Sequence, residues 1–163
     1  MLFRSVIGTY QPVFGKNGAT DQVEAAERFL ATLNPSQKSS LVHAINSPER
    51  RLWTNLPAPA DAGGLRLGDM GENQIRAACD LMATLFSEQG YRKMCHIMLA
   101  DDQLLKGGRP RSGFGTENFS LVLFGQPSSQ QPWAFQLDGH HVGVNVSVSG
   151  EAMTVAPSRS EEH

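Results

Sequence analysis

The 163-residue sequence has little of what usually fixes a protein's chemistry at sight. It holds two cysteines, Cys79 and Cys95, too few for a disulfide framework. Both fall on stretches expected to be helical that meet near Gly90. If the helices fold back there, a rise of about 1.5 Å per residue leaves the thiols roughly 9 Å apart along the axes, beyond disulfide reach. Two buried thiols are therefore expected, and the redox compartment stays open. Charge of one sign is also missing: 14 basic side chains face 16 acidic ones, for a formal charge of −2, with no basic run. Phosphate binding needs clustered Lys and Arg, so nucleic acid is not expected as a partner. The longest apolar runs, such as Phe119–Phe124, are far too short to span a bilayer, and no membrane partner is expected. No serine sits in a G-x-S-x-G elbow. The glycine-rich segment Lys106–Gly115 does not open a helix after a strand, which argues against a nucleotide cradle. There are no internal repeats and no low-complexity tract.

The two ends stand apart from the rest. Met1–Ser5 is what ATG-CTC-TTC-CGA-TCT encodes, and Arg159–His163 is what AGA-TCG-GAA-GAG-CAC encodes. These strings resemble the two strands of a common short-read sequencing adapter. Natural sequence is therefore expected only from Val6 to Ser158, as in a fragment from a metagenomic assembly. No signal peptide is visible, but with the true N-terminus in question localisation stays unknown.

The length suits one domain with a real core. Residues 1–20, with Gly8, Pro12, Gly15 and Gly18, read as an irregular lead-in. Residues 21–157 read as a single α+β domain, or the N-terminal half of a larger one, and 158–163 as a tail. Val23, Ala26, Phe29, Leu30 and Leu33 follow helical spacing, ended by Asn34-Pro35. Ser36–Ile45 is expected as a second, short helix. The strongest helix follows Leu67-Gly68-Asp69-Met70, with Asp69 as expected N-cap and Glu72 as its capping-box partner. Its apolar stripe runs Ile75, Ala78, Cys79, Met82, Leu85 and Phe86, and Gly90 is expected to stop it. Tyr91–Leu105 resumes helical spacing. Asp101 falls on or beside its apolar stripe, where a carboxylate needs a partner. Arg109 or Arg111 is expected to supply one, unless Asp101 is simply solvated on the helix surface. Strands are expected at Phe119–Phe124, through a hairpin at Pro132–Ser149, and at Glu151–Ala156. Helices first and strands after imply α+β, with N-terminal helices packed on one face of a small antiparallel β-meander.

The hairpin carries the functional reading. Asp138-Gly139 suits the left-handed positions of a two-residue turn, which pairs Leu137 with His140, Gln136 with His141, Phe135 with Val142 and Trp133 with Val144. Alternation then places Trp133, Phe135, Leu137, Val142, Val144, Val146 and Val148 on one face, with His140 at its edge. Ala134, Gln136, His141, Gly143, Asn145 and Ser147 take the other. Neighbours on a strand point to opposite faces, so His140 and His141 share one metal only if the backbone bends there. His140 is expected as a core histidine bonded to backbone. His141 is expected as a ligand or catalytic group, or else as half of a polar cross-strand pair with Gln136.

Several short elements, taken in order, resemble a known family: Pro48-Glu49-Arg50 with Trp53 and Leu56-Pro57, Gly64-Leu65 with Leu67-Gly68-Asp69, and Gly90-Tyr91 with Ile97-Met98. Phe124-Gly125 with Pro127, and Pro132-Trp133 with Gly139-His140-His141, complete the series. Together they resemble the uncharacterised bacterial proteins grouped as domain-of-unknown-function family 3500, over roughly Ala25 to Pro157. The resemblance implies the N-terminal half of a protein about twice this length, packing against a C-terminal half that carries further His-containing motifs. Gly107–Gly115 and Phe119 depart from it, standing where an Arg-Asp-Pro and tyrosine-rich stretch is expected. The family brings no assigned activity.

Three functions follow as expectations. The first is a metal-dependent enzyme, with a divalent metal on His141 and His140 and the remaining ligands from elsewhere; His43 and His96 are placed on helices away from it. The second is a non-catalytic module whose hairpin face (Gln136, His141 and Asn145, with Asp138 and Trp133 nearby) holds a small molecule. The third is a purely structural role. Asp101 and Arg109 complete the set of candidate site residues.

Overall fold

The computed structural model describes residues 2–57, 63–106, 113–155 and 159–160. Among the described residues, five α-helices run Leu2–Thr9 (α1), Ala19–Ala31 (α2), Pro35–Leu41 (α3), Glu72–Leu85 (α4) and Glu88–Lys106 (α5). The strands are Val42–His43 (β1), Leu65–Arg66 (β2), Ser120–Phe124 (β3), Trp133–Gly139 (β4), Val142–Ser149 (β5), Ala152–Val155 (β6) and Arg159–Ser160 (β7). They join one sheet in the order β1-β3-β4-β5-β6, with β2 on β3 and β7 on β5. β3 to β6 form the antiparallel meander, β1 lies parallel to β3, and the α+β class expected from the sequence is the one observed.

Local chemistry sets the helix ends. Asn34 Oδ1 accepts from Gln37 N at 2.9 Å while Gln37 Oε1 accepts from Asn34 N at 3.1 Å, a reciprocal capping box with Pro35 at the first helical position. α3 is shorter than expected, because Val42 and His43 leave it to pair with Leu123 and Phe124. α4 begins two residues later than the Asp69 cap implied. Asp69 closes a short 3-10 turn, and Gln74 Oε1 accepts from Gly71 N at 2.8 Å. Gly90 does not stop α4; it lies in the first turns of α5, and the break falls at Phe86. The lead-in is irregular between Thr9 and Ala19 but helical before it. Leu2–Thr9 is helical, and Val6 and Ile7 are buried in the main core.

One face of the sheet presents Leu121, Leu123, Trp133, Phe135, Leu137, Val142, Val144, Val146 and Val148 to Phe29, Ile75, Met82, Met98 and their helical neighbours. The faces of β4 and β5 are those that alternation predicts, but the register is not. Leu137 pairs with Val144, Phe135 with Val146, Trp133 with Val148 and Gln136 with Asn145. The turn therefore lies at His140-His141, not at Asp138-Gly139. A slip of four positions is even, so it returns each side chain to the same face and leaves the pattern unchanged. Gly139 is a strand glycine: a Cβ there would overlap the Phe119 ring. Gly143 is another, since a Cβ there would lie 2.8 Å from Trp53 Cε3.

Replacing Gly139 with Ala is expected to cost about 1–3 kcal/mol, the usual penalty for overfilling a packed site. Phe119→Leu should recover part of it in the double variant. Urea denaturation measures both. A Gly139→Asn variant of unchanged stability would restore the turn assignment, because Asn tolerates the left-handed positions of a hairpin turn.

Candidate functional site

The tip of the β4–β5 hairpin is gripped from both sides. On the helix side, His140 Nδ1 donates to Asp101 Oδ1 at 2.5 Å, and Asp101 Oδ2 accepts from Gly115 N at 2.6 Å. An ionised carboxylate can only accept, so Nδ1 of His140 carries the proton of this bond. Both side chains are enclosed, at 11% and 1% exposure. Next to it, Asp102 Oδ1 accepts from Thr116 N at 2.7 Å, and Thr116 Oγ1 donates to the Met98 carbonyl at 3.2 Å. The end of α5 is thereby tied to the turn at Thr116–Asn118. On the loop side, His141 N donates to the Asn55 carbonyl at 2.8 Å.

His141 has a φ of 64°, and it is the one non-glycine residue with positive φ among the described residues. With His140 on the negative side, the loop has the sign pattern of a type II turn. The bend brings the two imidazoles together, with ring centroids 3.8 Å apart, and the Phe114 ring lies 4.4 Å from that of His140. His141 also lines an open cleft of about 1070 Å³ along α5, with Glu88, Gln89, Arg92, Lys93, His96, Ile97, Ala100, Asp101 and Leu104.

The structure thus gathers His140, His141 and Asp101. Asp101 is not solvated on the helix surface: it is 2% exposed and held by His140 and Gly115. Arg109 and Arg111, the partners expected for it, lie outside the described residues. His140 bonds a side chain rather than backbone. His141 faces Asn55 and the cleft rather than Gln136, which is the consequence of the shifted turn. His96, set aside in the sequence as belonging elsewhere, lines the same cleft; His43 sits on β1.

Gln136, Asp138 and Asn145 form a separate group on the second face of the sheet. Gln136 and Asp138 are buried, and Gln136 Nε2 donates to Asp138 Oδ2 at 2.5 Å. Gln136 Oε1, Asp138 Oδ1 and Asn145 Nδ2 are buried with no hydrogen-bond partner among the described residues. Burial pushes the Asp138 carboxyl up to about 7, against the opposing pull of Gln136 and the Thr54 backbone. Arg50 Nη2 donates to Ser147 Oγ at 2.7 Å beside this group. Trp133 belongs to neither site: it is fully buried in the main core, which counts against a tryptophan platform for ligand.

Among the described residues no set of three or more His, Cys, Asp or Glu side chains is grouped to hold a metal ion, so nothing there supports the metal-dependent reading. Nor is any helix among them long and apolar enough to cross a membrane. Both cysteines are buried and free, and burial pushes their thiols up to about 12 at Cys79 and about 11 at Cys95. Neither is a thiolate nucleophile near neutral pH.

Over residues 16–159 the sequence matches the family model described as "Protein of unknown function (DUF3500)". The chain belongs to that family. Neither the curated proteins nor the solved structures contain a match to it.

Asp138 yields a pH prediction. Its folded carboxyl holds a proton that the unfolded one gives up near the ordinary value of 3.8. Its contribution to stability is therefore complete below about pH 4 and is lost as pH rises through about 7. The loss is at most about 1.4 kcal/mol for each pH unit crossed between the two values. Asp138→Asn, which mimics the protonated form, should flatten that decline and be more stable than the parent at pH 8. Denaturation curves at a series of pH values decide it, and an unchanged slope in the variant removes Asp138 as the cause.

Proposed function

We propose that this protein is an enzyme acting on a small molecule by acid–base chemistry in the cleft along α5. His141 is the acid–base group, and the Asp101–His140 pair positions it. The observation that carries this reading is the backbone of His141. A left-handed conformation costs an L residue about 1–2 kcal/mol, and glycine would avoid the cost. Residues held in such conformations cluster at functional sites. Here the strained residue is an imidazole, the side chain whose charge changes in the physiological range, and it lines the open cleft along α5.

The surrounding bonds support the role. Asp101 fixes the tilt of His140, and His140 supplies the flat surface against which His141 rests. Asn55 pins the His141 amide, so the turn holds its backbone while the ring lines the cleft. A base placed this way takes a proton from a water adding to a bound ester, amide or glycoside and returns it to the leaving oxygen or nitrogen as that bond breaks, which typically contributes 10²- to 10⁴-fold to rate.

His141→Gly separates this from a structural role. The variant should match or exceed the parent in stability by up to about 1 kcal/mol, since strain is relieved, while turnover falls by about 10²- to 10⁴-fold. The assay is a panel of small esters, lactones, amides and glycosides, with thermal unfolding in parallel. A parent inert across the panel, or a variant as active as the parent, sinks the reading.

A further inference from the structure

The sheet face turned away from the helical layer holds a second arrangement, separate from the cleft. Among the described residues, six buried side-chain nitrogen or oxygen atoms have no hydrogen-bond partner, and four of them belong to Arg66, Gln136, Asp138 and Asn145. The other two, on Tyr91 and Trp133, belong to the main core. Strand pairing gathers the four on one face. Arg66 stands opposite Ser120, Ser120 opposite Asp138, and Gln136 opposite Asn145, and directly opposed residues of antiparallel strands share a face. Gln136 and Asp138, two apart on β4, point the same way and are 3% and 7% exposed. A fold gains nothing by stranding one such atom. Four on one face call for a common explanation.

Their chemistry is mixed. Arg66 Nε and Asn145 Nδ2 can only donate, Gln136 Oε1 can only accept, and Asp138 Oδ1 accepts when ionised. The other ends are already engaged: Gln136 Nε2 donates to Asp138 Oδ2 at 2.5 Å, and Arg66 Nη2 donates to Asn118 Oδ1 at 2.5 Å. A hydroxyl is the group that answers both kinds of atom, since it gives its proton to one neighbour and accepts from the next. Two strand spacings, roughly 10 Å, separate Arg66 from Asp138 at the backbone, and the long arginine side chain shortens that span. Beside Asp138, across the β4–β5 pair, Trp53 covers Gly143 and supplies an apolar wall. We infer that this face binds a neutral, polyhydroxylated ring of monosaccharide size. Its hydroxyls bridge Asn145, Gln136, Asp138 and Arg66, and its C–H face packs on Trp53. The segment Arg50–Leu56 lies over the site, tied down by Arg50 Nη2 to Ser147 Oγ at 2.7 Å and by His141 N to the Asn55 carbonyl at 2.8 Å. Admitting the ring lifts that segment and Trp53 with it. The site goes beyond the acid–base reading and does not rest on it.

The probes are D-glucose, D-galactose and D-xylose, with cyclohexanol as a ring bearing one hydroxyl, each titrated calorimetrically into the full chain. At least one sugar should bind about tenfold or more tightly than cyclohexanol, the effect of one or two added hydrogen bonds. That sugar should also change the tryptophan fluorescence. Trp53→Phe should remove the change, since the other tryptophan, Trp133, is fully buried in the main core. Asn145→Leu deletes a buried donor that has no partner, so it should fold at least as stably as the parent while sugar affinity falls about tenfold. Arg66→Lys keeps a donor for Asn118 but removes Nε, and should weaken the sugar about threefold or more. His141→Gly, which changes the cleft and keeps the backbone bond to Asn55, should leave sugar affinity as in the parent. Overturning results are no sugar preferred over cyclohexanol, undiminished affinity in Asn145→Leu or Arg66→Lys, or a fluorescence change that survives Trp53→Phe. Sugar affinity lost in His141→Gly also overturns the assignment, because it places the sugar in the α5 cleft, and it leaves the acid–base reading standing.

Discussion

The bond between Asp101 and His140 joins the two halves of this fold at the point where their geometry matters most. The helical layer and the sheet are otherwise held by side chains such as Phe29, Met82, Phe135 and Val146, whose burial is non-directional and tolerates sliding. A charge-assisted bond of 2.5 Å between two enclosed groups does not slide. It fixes the end of α5 against the hairpin tip, and Gly115 N fixes the carboxylate in turn. Removing one partner of such a pair strands the other in a medium that cannot solvate it, which is why buried pairs are costly to break even where they add little net stability.

Much of this architecture is written in side-chain periodicity. Alternation from Trp133 to Val148 identifies the core face of both strands, and the 3.6-residue stripe from Ile75 to Leu85 identifies the buried face of α4. What periodicity cannot resolve is any displacement by an even number of residues along a strand, and the hairpin register is displaced in that way. The misleading sign was Asp138-Gly139, whose glycine answers to Phe119 rather than to a turn. Turn chemistry and close-packing chemistry both select glycine, and a single sequence gives no means of separating them.

The site was half legible for the same reason. Asp101 stood out as a carboxylate on an apolar stripe, which is a sound signal of a buried partner. The partner itself was a long-range pairing across 39 residues, decided by the register. Once the turn moves to His140-His141, both histidines leave the alternating strand, and the rule that adjacent side chains diverge no longer applies to them. His96 stands one helical turn before Ala100 on the face of α5 that lines the cleft, and Asp101 borders that face, so the presence of His96 in the cleft follows from α5 alone. Only the expectation that His141 lay elsewhere kept the two apart.

The second face of the sheet explains why the turn can hold a strained residue at all. Arg50 reaches Ser147, Trp53 covers Gly143, and the Asn55 carbonyl takes the His141 amide. The segment after β1 is thus laid along β5 and closes on the hairpin from the side opposite α5. A left-handed histidine persists only where its surroundings over-determine the backbone, and two independent layers do so here. The same closure buries Gln136 and Asp138 and raises the Asp138 carboxyl to about 7. Strain at His141 and desolvation at Asp138 are therefore two costs of one packing arrangement. The turn that brings an imidazole to the cleft wall also requires a covered, partly unsatisfied polar face behind it.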